Sequence, residues 1–309
     1  MSRISPDSRV LGAEAEPIPV AFERDDVTIR GDQWRTSGQR GHIIFLHGGG
    51  QTRHSWDEAA RRIAATGWTC TTLDLRGHGD SDWSPDGRYG VNLHVADLKR
   101  AIEEVVQDGP PVLVGASLGG LTALSLASAH PHLARAIVLV DIVPRPNRDG
   151  VKRIQAFMTR HLDGFASLEE VGDAVAAYNP RRRHRNLDGL RKNVRLHEDG
   201  RWYWHWDPRM VTHRPPEPKP SGEPPAYLPS PHDGIEPPLL IVRGALSDVV
   251  DDDGLLELRE LIPTATVAEV PGAGHMVAGD DNDLFIAAVT DFIDVLPTDS
   301  PGQRGKPRT

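Results

Sequence analysis

The chain is poor in three things that would otherwise define its class: cysteine, excess basic charge and long apolar runs. It has 309 residues and one cysteine, Cys70, which excludes an internal disulfide and a cysteine-held metal cluster and favours a reducing compartment. Its 44 acidic side chains outnumber 35 basic ones, for a formal net charge of −9. Without a basic field to concentrate nucleic acid or anionic lipid, we expect small neutral or apolar molecules as partners.

The sequence also has no apolar run of membrane-spanning length, and its charged segment 1–17 lacks the apolar core of a signal peptide. We therefore expect no membrane partner and a cytoplasmic location. The spacings of histidine and aspartate match no metal-ligand motif, so we expect neither a metal nor a cofactor. The oligomeric state stays open.

Strand and helix patterns alternate along most of the chain. Strands are predicted at 18–22, 27–34, 42–46, 68–75, 111–114, 136–141, 239–242 and 264–270, and helices at 55–66, 92–107, 254–261 and 283–296. The first two strands form an antiparallel pair, and the alternation that follows is typical of an α/β protein with a parallel sheet and helices on both faces. The length suits one large core with an insertion, or two modest domains.

An insertion interrupts this pattern after Pro144. It is polar, rich in arginine and partly helical, and it runs into ten prolines between Pro215 and Pro238, which favour an extended strap returning to the core. The predicted organisation is a polar leader (1–17), a core (18–144 and 236–297), the insertion with its strap (145–235) and a disordered tail (298–309).

The segment 112–120, Val-Leu-Val-Gly-Ala-Ser-Leu-Gly-Gly, carries the strongest functional signal. A serine on a tight turn between a strand and a helix is held in a strained conformation with its hydroxyl exposed, and Gly115 and Gly119 give that turn room. An isolated Gly-x-Ser-x-Gly can be an ordinary turn. The apolar strand before it and the helical pattern after it instead favour Ser117 as a nucleophile.

A serine hydroxyl needs a base to take its proton and an acid to orient that base. His275 follows the last predicted strand in a glycine-lined loop and is the predicted base. Asp248 follows strand 239–242, and the order Ser, Asp, His is the one that this elbow architecture uses, so Asp248 is the predicted acid. Asp248 could instead only cap the next helix, and Asp141, at the end of strand 136–141, is the rival acid.

Backbone N–H groups must also be in place to bind the oxyanion of a tetrahedral intermediate. Leu118, at the start of the helix, offers one donor. The loop His47-Gly48-Gly49-Gly50 lets backbone approach a ligand closely, and we expect its second donor to be the N–H of Gly49. The alternative is a merely flexible loop. His47 and His78 are expected to shape their turns rather than to act as bases.

Together these features resemble the α/β-hydrolase family, in particular its capped esterase, epoxide-hydrolase-like and cofactor-free perhydrolase branch. The resemblance is carried by His47-Gly48-Gly49-Gly50 with Trp56, Asp74 to Ser81, Gly115 to Gly120, Arg243 to Asp248, and Gly274-His275. It implies an eight-stranded, mostly parallel sheet with a helical cap inserted after the sixth strand. Epoxide hydrolases and dehalogenases of this branch use aspartate as nucleophile, and position 117 is serine, so those activities are disfavoured.

Three tryptophans alternate within the insertion, at positions 202, 204 and 206. They either anchor a small core of the cap or wall an apolar substrate pocket. The resulting expectation is a serine hydrolase of small, apolar carboxylic esters, with a triad of Ser117, His275 and Asp248. The alternatives within the same class are a perhydrolase, a lactonase and a carbon-carbon bond hydrolase with the same triad. The alternative from another class is a non-catalytic protein that binds a small ligand on a hydrolase scaffold.

Overall fold

A computed structural model describes residues 16–38, 40–179, 187–213, 235–277 and 282–297. The strands are β1 (Ile18–Arg24), β2 (Val27–Trp34), β3 (His42–Leu46), β4 (Thr69–Leu73), β5 (Val112–Ala116), β6 (Ala136–Val140), β7 (Val194–Leu196), β8 (Trp202–Trp204), β9 (Leu239–Gly244) and β10 (Thr266–Val270). The α-helices are α1 (Asp57–Ala64), α2 (Val91–Val105), α3 (Leu118–Ala129), α4 (Arg148–Arg160), α5 (Leu168–Tyr178), α6 (Leu187–Arg191), α7 (Arg209–Thr212), α8 (Asp252–Leu261) and α9 (Asn282–Asp294).

The main sheet has eight strands in the order β1-β2-β4-β3-β5-β6-β9-β10. The pairs β1–β2 and β2–β4 are antiparallel, and the pairs from β4 through β10 are parallel. Every residue of β3 and β6 is buried, as expected of strands covered on both faces. The predicted fold class is confirmed. In such a sheet, the loops after β3, β5, β6, β9 and β10 all gather at the carboxyl edge.

Helices cover both faces of the sheet. Side chains of α2, α3 and α8 pack with one apolar cluster, and side chains of α1 and α9 pack with a second cluster on the opposite face. The predicted helix at 55–66 is a 3₁₀ turn, Arg53–Trp56, followed by α1. Within the described ranges, no helix combines the length and apolarity needed to cross a lipid bilayer.

The insertion lies between β6 and β9, after the sixth strand of the chain. It contains α4 to α7 and an antiparallel hairpin of β7 and β8, whose three-residue strands were not predicted. Phe165, Val171 and Val175 form a small apolar core of its own, against which Trp202 and Trp204 pack. The leader up to residue 15, the strap 214–234 and the tail 298–309 lie outside the described residues, so the domain boundaries stay a prediction.

Candidate active site

Ser117 occupies the turn between β5 and α3 in a strained backbone conformation, with φ 45° and ψ −112°. A Cβ atom at position 115 would lie 2.4 Å from the carbonyl group of Gly119, and one at position 119 would lie 2.3 Å from the carbonyl oxygen of Leu46. Only glycine fits at these two places. The sharp strand-to-helix turn predicted for this segment is therefore present in the structure.

The imidazole of His275 is held by the carboxylate of Asp141. Nδ1 of His275 lies 2.8 Å from Oδ2 of Asp141, whose side chain is fully buried. Asp141 directly follows β6 and has a φ of 48°. The backbone N–H of Ser117 donates to the carbonyl of Val140 at 3.3 Å, so the elbow lies beside the end of the same strand.

Two further donors fix this carboxylate. The backbone N–H of Gly244 donates to Oδ1 of Asp141 at 3.0 Å, and the hydroxyl of Ser247 donates to Oδ2 at 2.5 Å. An ionised carboxylate only accepts hydrogen bonds, so Nδ1 of His275 carries the proton and Nε2 is left as the basic nitrogen. Sequence reasoning assigned no role to Gly244 or Ser247.

The loop that carries His275 approaches closely because residue 244 is glycine. A Cβ there would lie 2.3 Å from the carbonyl oxygen of Gly274 and 2.7 Å from that of Ala273. The N–H of Leu246 also donates to the carbonyl of Ala273 at 2.9 Å. The end of β9 is therefore both the platform for the histidine loop and a donor to Asp141.

The structure does not pair Asp248, the predicted acid, with His275. Its carboxylate forms an ion pair with Arg153 of α4. The preceding residue, Ser247, turns inward to Asp141, and its Oγ accepts the N–H groups of Val249 and Val250 at 3.1 and 3.0 Å. This turn directs Asp248 towards the insertion. Asp248 does not cap the next helix either, because the N-cap of α8 is Asp251.

The glycine loop after β3 meets the elbow. A Cβ at Gly48 would lie 3.5 Å from Cβ of Ser117. The N–H of Gly48 donates to Oε1 of Gln51 at 3.0 Å, and that of Gly50 donates to Nε2 of His78 at 3.2 Å. Within the described residues, the N–H groups of Gly49 and Leu118, the two expected oxyanion donors, have no hydrogen-bond acceptor.

Two buried histidines, His47 and His78, form hydrogen bonds that hold this loop in place. Nε2 of His47 accepts the N–H of Leu75 at 3.0 Å, and its Nδ1 lies 2.8 Å from the carbonyl of Gly48. Burial lowers the pKa of His47 to about 4 and that of His78 to about 3. Both rings are therefore neutral near pH 7, which lets each accept a backbone N–H. This agrees with the structural role expected for both.

One cluster outside this site has the composition of a metal site. Ligand atoms of Asp32, His54 and Asp57 lie within 4.8 Å of one another. However, Nε of Arg53 donates to Asp32 at 2.6 Å, and Nζ of Lys192 donates to Asp57 at 2.8 Å. These two cations compensate the carboxylates, so ion pairing accounts for the cluster.

Comparison with known proteins agrees with this fold. A family model described as alpha/beta hydrolase fold matches residues 41–281. The chain is 32% identical to esterase Rv0045c of Mycobacterium tuberculosis, over 90% of each chain, and 27% identical to 2-(acetamidomethylene)succinate hydrolase of Mesorhizobium japonicum, over 84% of this chain and 90% of that one. A crystal structure of Rv0045c superposes with a TM-score of 0.70 and 28% identity, covering 91% of this chain and 93% of the other.

Proposed function

This chain belongs to the alpha/beta hydrolase family, and we propose that it cleaves carboxylic esters of small, apolar substrates through an acyl-enzyme on Ser117. The observation that carries the proposal is the hydrogen bond from His275 to the buried Asp141, beside a strained serine turn at the same sheet edge. Relatives named esterase and hydrolase support the reaction class.

In the proposed first half-reaction, Oγ of Ser117 attacks the ester carbonyl while Nε2 of His275 takes its proton. The imidazolium then gives that proton to the leaving alcohol. Asp141 keeps Nδ1 protonated and stabilises the positive ring, which is the role that we first expected of Asp248. The donors from Gly244 and Ser247 hold the carboxylate still during this transfer.

The developing oxyanion needs donors that are already oriented. The N–H groups of Gly49 and Leu118 suit this role, because they have no acceptor in the described structure and belong to segments that meet at Ser117. In the second half-reaction, His275 activates a water that attacks the acyl-enzyme. The carboxylic acid is released and the serine is regenerated.

Labelling by a fluorophosphonate probe, together with hydrolysis of p-nitrophenyl acetate, tests the proposal. The wild-type protein should be labelled and active, Ser117→Ala should lose both properties, and Ser55→Ala, at an exposed serine, should keep both. A folded wild type that is neither labelled nor active would overturn the proposal in favour of a binding protein. A labelled wild type that turns over lactones or perhydrolysis substrates but no linear ester would overturn the ester assignment.

A further inference from the structure

Helix α4 of the insertion lies across the edge of the sheet that carries the candidate residues. Near one end, a Cβ at Gly150 would lie 2.1 Å from the carbonyl oxygen of Asp248, in the loop after β9. Near the other end, Cε of Met158 lies 3.5 Å from the Cβ position of Gly50, in the loop after β3. The helix therefore touches the loops on both sides of Ser117 and Asp141.

The length of the helix agrees with such a crossing. Met158 is eight positions after Gly150, and a rise of about 1.5 Å per residue gives about 12 Å between them. The strands β3, β5, β6 and β9 are consecutive neighbours, so the outer two lie about 14 Å apart at roughly 4.8 Å per pair. The two lengths are similar, as expected of a helix that crosses above the ends of β5 and β6, which Ser117 and Asp141 directly follow.

The face that α4 turns towards the sheet is apolar. Positions 150, 154 and 158 lie on one side of the helix at intervals of four residues. Ile154 packs against the apolar cluster of the core that also contacts Leu118. Phe157 points elsewhere, stacking on Tyr178 with ring centroids 4.4 Å apart.

The surroundings of Gly50 extend this apolar surface. Nε1 of the buried Trp206 lies 3.8 Å from the Cβ position of Gly50, so Trp206 is the tryptophan beside the glycine loop, whereas Trp202 and Trp204 pack in the core of the insertion. The guanidinium of Arg153, which directly precedes Ile154 in α4, is already paired with Asp248. An anionic group between Ile154 and Met158 would meet carbon and sulfur rather than this cation.

We propose that Ile154 and Met158 are specificity-determining residues that form an apolar ceiling over Ser117 and select uncharged, short acyl groups. This inference rests on the proposed esterase function and assigns its acyl side to α4. Burying a charged acyl group against these side chains would cost its hydration without a partner. In this arrangement a longer acyl chain has to displace Met158, which already packs beside the loop of Gly50.

The values of kcat/KM for p-nitrophenyl acetate, butyrate, hexanoate and monosuccinate test the proposed role of Ile154 and Met158. The wild type should prefer butyrate to monosuccinate by at least about tenfold, and Met158→Ala should raise the hexanoate-to-acetate ratio by about tenfold. Met158→Lys should raise the monosuccinate-to-butyrate ratio. Lys152→Ala, an exposed change on the same helix, should leave every ratio unchanged, and Ile154→Val provides a milder second variant.

The outcomes separate this inference from the function on which it rests. Unchanged ratios in both the Met158 and the Ile154 variants, with acetate hydrolysis and fluorophosphonate labelling intact, would refute the ceiling and leave the esterase proposal standing. A wild type that prefers monosuccinate would also refute it. Loss of labelling and of all ester hydrolysis in the wild type would instead defeat the proposed function.

Discussion

Asp141 and His275 are 134 residues apart in the chain, yet a 2.8 Å hydrogen bond joins them at the carboxyl edge of the sheet. β9 lies between β6, which precedes Asp141, and β10, which precedes His275. The backbone N–H of Gly244, the last residue of β9, donates to Asp141, and the absence of a side chain at Gly244 leaves space for the loop of His275. Tertiary packing therefore determines which aspartate reaches His275.

Replacing the two aspartates in turn separates the candidate acids. Asp141→Asn would present an amide N–H₂ or a misplaced oxygen to Nδ1 of His275, and kcat for p-nitrophenyl acetate should fall by about 10³- to 10⁴-fold. Asp248→Asn removes only the ion pair with Arg153, and kcat should stay within about threefold. A large loss in Asp248→Asn with a small loss in Asp141→Asn would restore the original assignment.

Local patterns were sufficient for much of this architecture, including the order of strands and helices, the serine turn, and the place of the insertion. They led to Asp248 rather than Asp141 as the predicted acid, although both aspartates follow a buried strand and both lie between Ser117 and His275 in the chain. That choice depends on the turn in which Ser247 accepts two backbone N–H groups and points inward. The position of α4 across the carboxyl edge of the sheet could not be predicted from the sequence either, because it depends on contacts with Gly50 and Asp248, which are distant in the chain.

Ser247 is a positioning residue, because its hydroxyl shares Oδ2 of Asp141 with the imidazole of His275. In Ser247→Ala the carboxylate loses one of the donors that fix its orientation towards the imidazole, so kcat for p-nitrophenyl acetate should fall by about tenfold while KM stays near the wild-type value. Ser247→Thr retains the hydroxyl and should recover most of the wild-type kcat. Equal kcat values for Ser247→Ala and the wild type would show that this hydroxyl does not position Asp141.

Gly244→Ala should displace the histidine loop. The added Cβ would lie 2.3 Å from the carbonyl oxygen of Gly274, a backbone atom that cannot move without shifting His275. We expect kcat to fall by about 10²-fold through misalignment and the free energy of unfolding to fall by about 1–3 kcal/mol. Gly90→Ala is the matched control, because a Cβ there meets nothing within 4 Å. Equal activities of the two variants would contradict the proposed contact.

Acid should destabilise the protein well above the range in which aspartates titrate, because four histidines are buried in neutral form. Burial lowers the pKa of His42 and His47 to about 4, and that of His78 and His94 to about 3, from an ordinary value of 6.5. As pH falls below 6.5, the unfolded chain binds protons that the folded chain does not, so stability present above pH 6.5 is lost down to about pH 4 for His42 and His47 and to about pH 3 for His78 and His94. The loss should be on the order of 1 kcal/mol per histidine between pH 7.5 and 5.5. Urea unfolding between pH 7.5 and 5.5 measures this loss in the free energy of unfolding.

His78→Gln should reduce the pH dependence of the free energy of unfolding by the contribution of about one proton. His132→Gln, at an exposed position, should leave that dependence unchanged. A wild-type free energy of unfolding that does not change with pH above pH 5 would show that the buried rings do not govern acid stability.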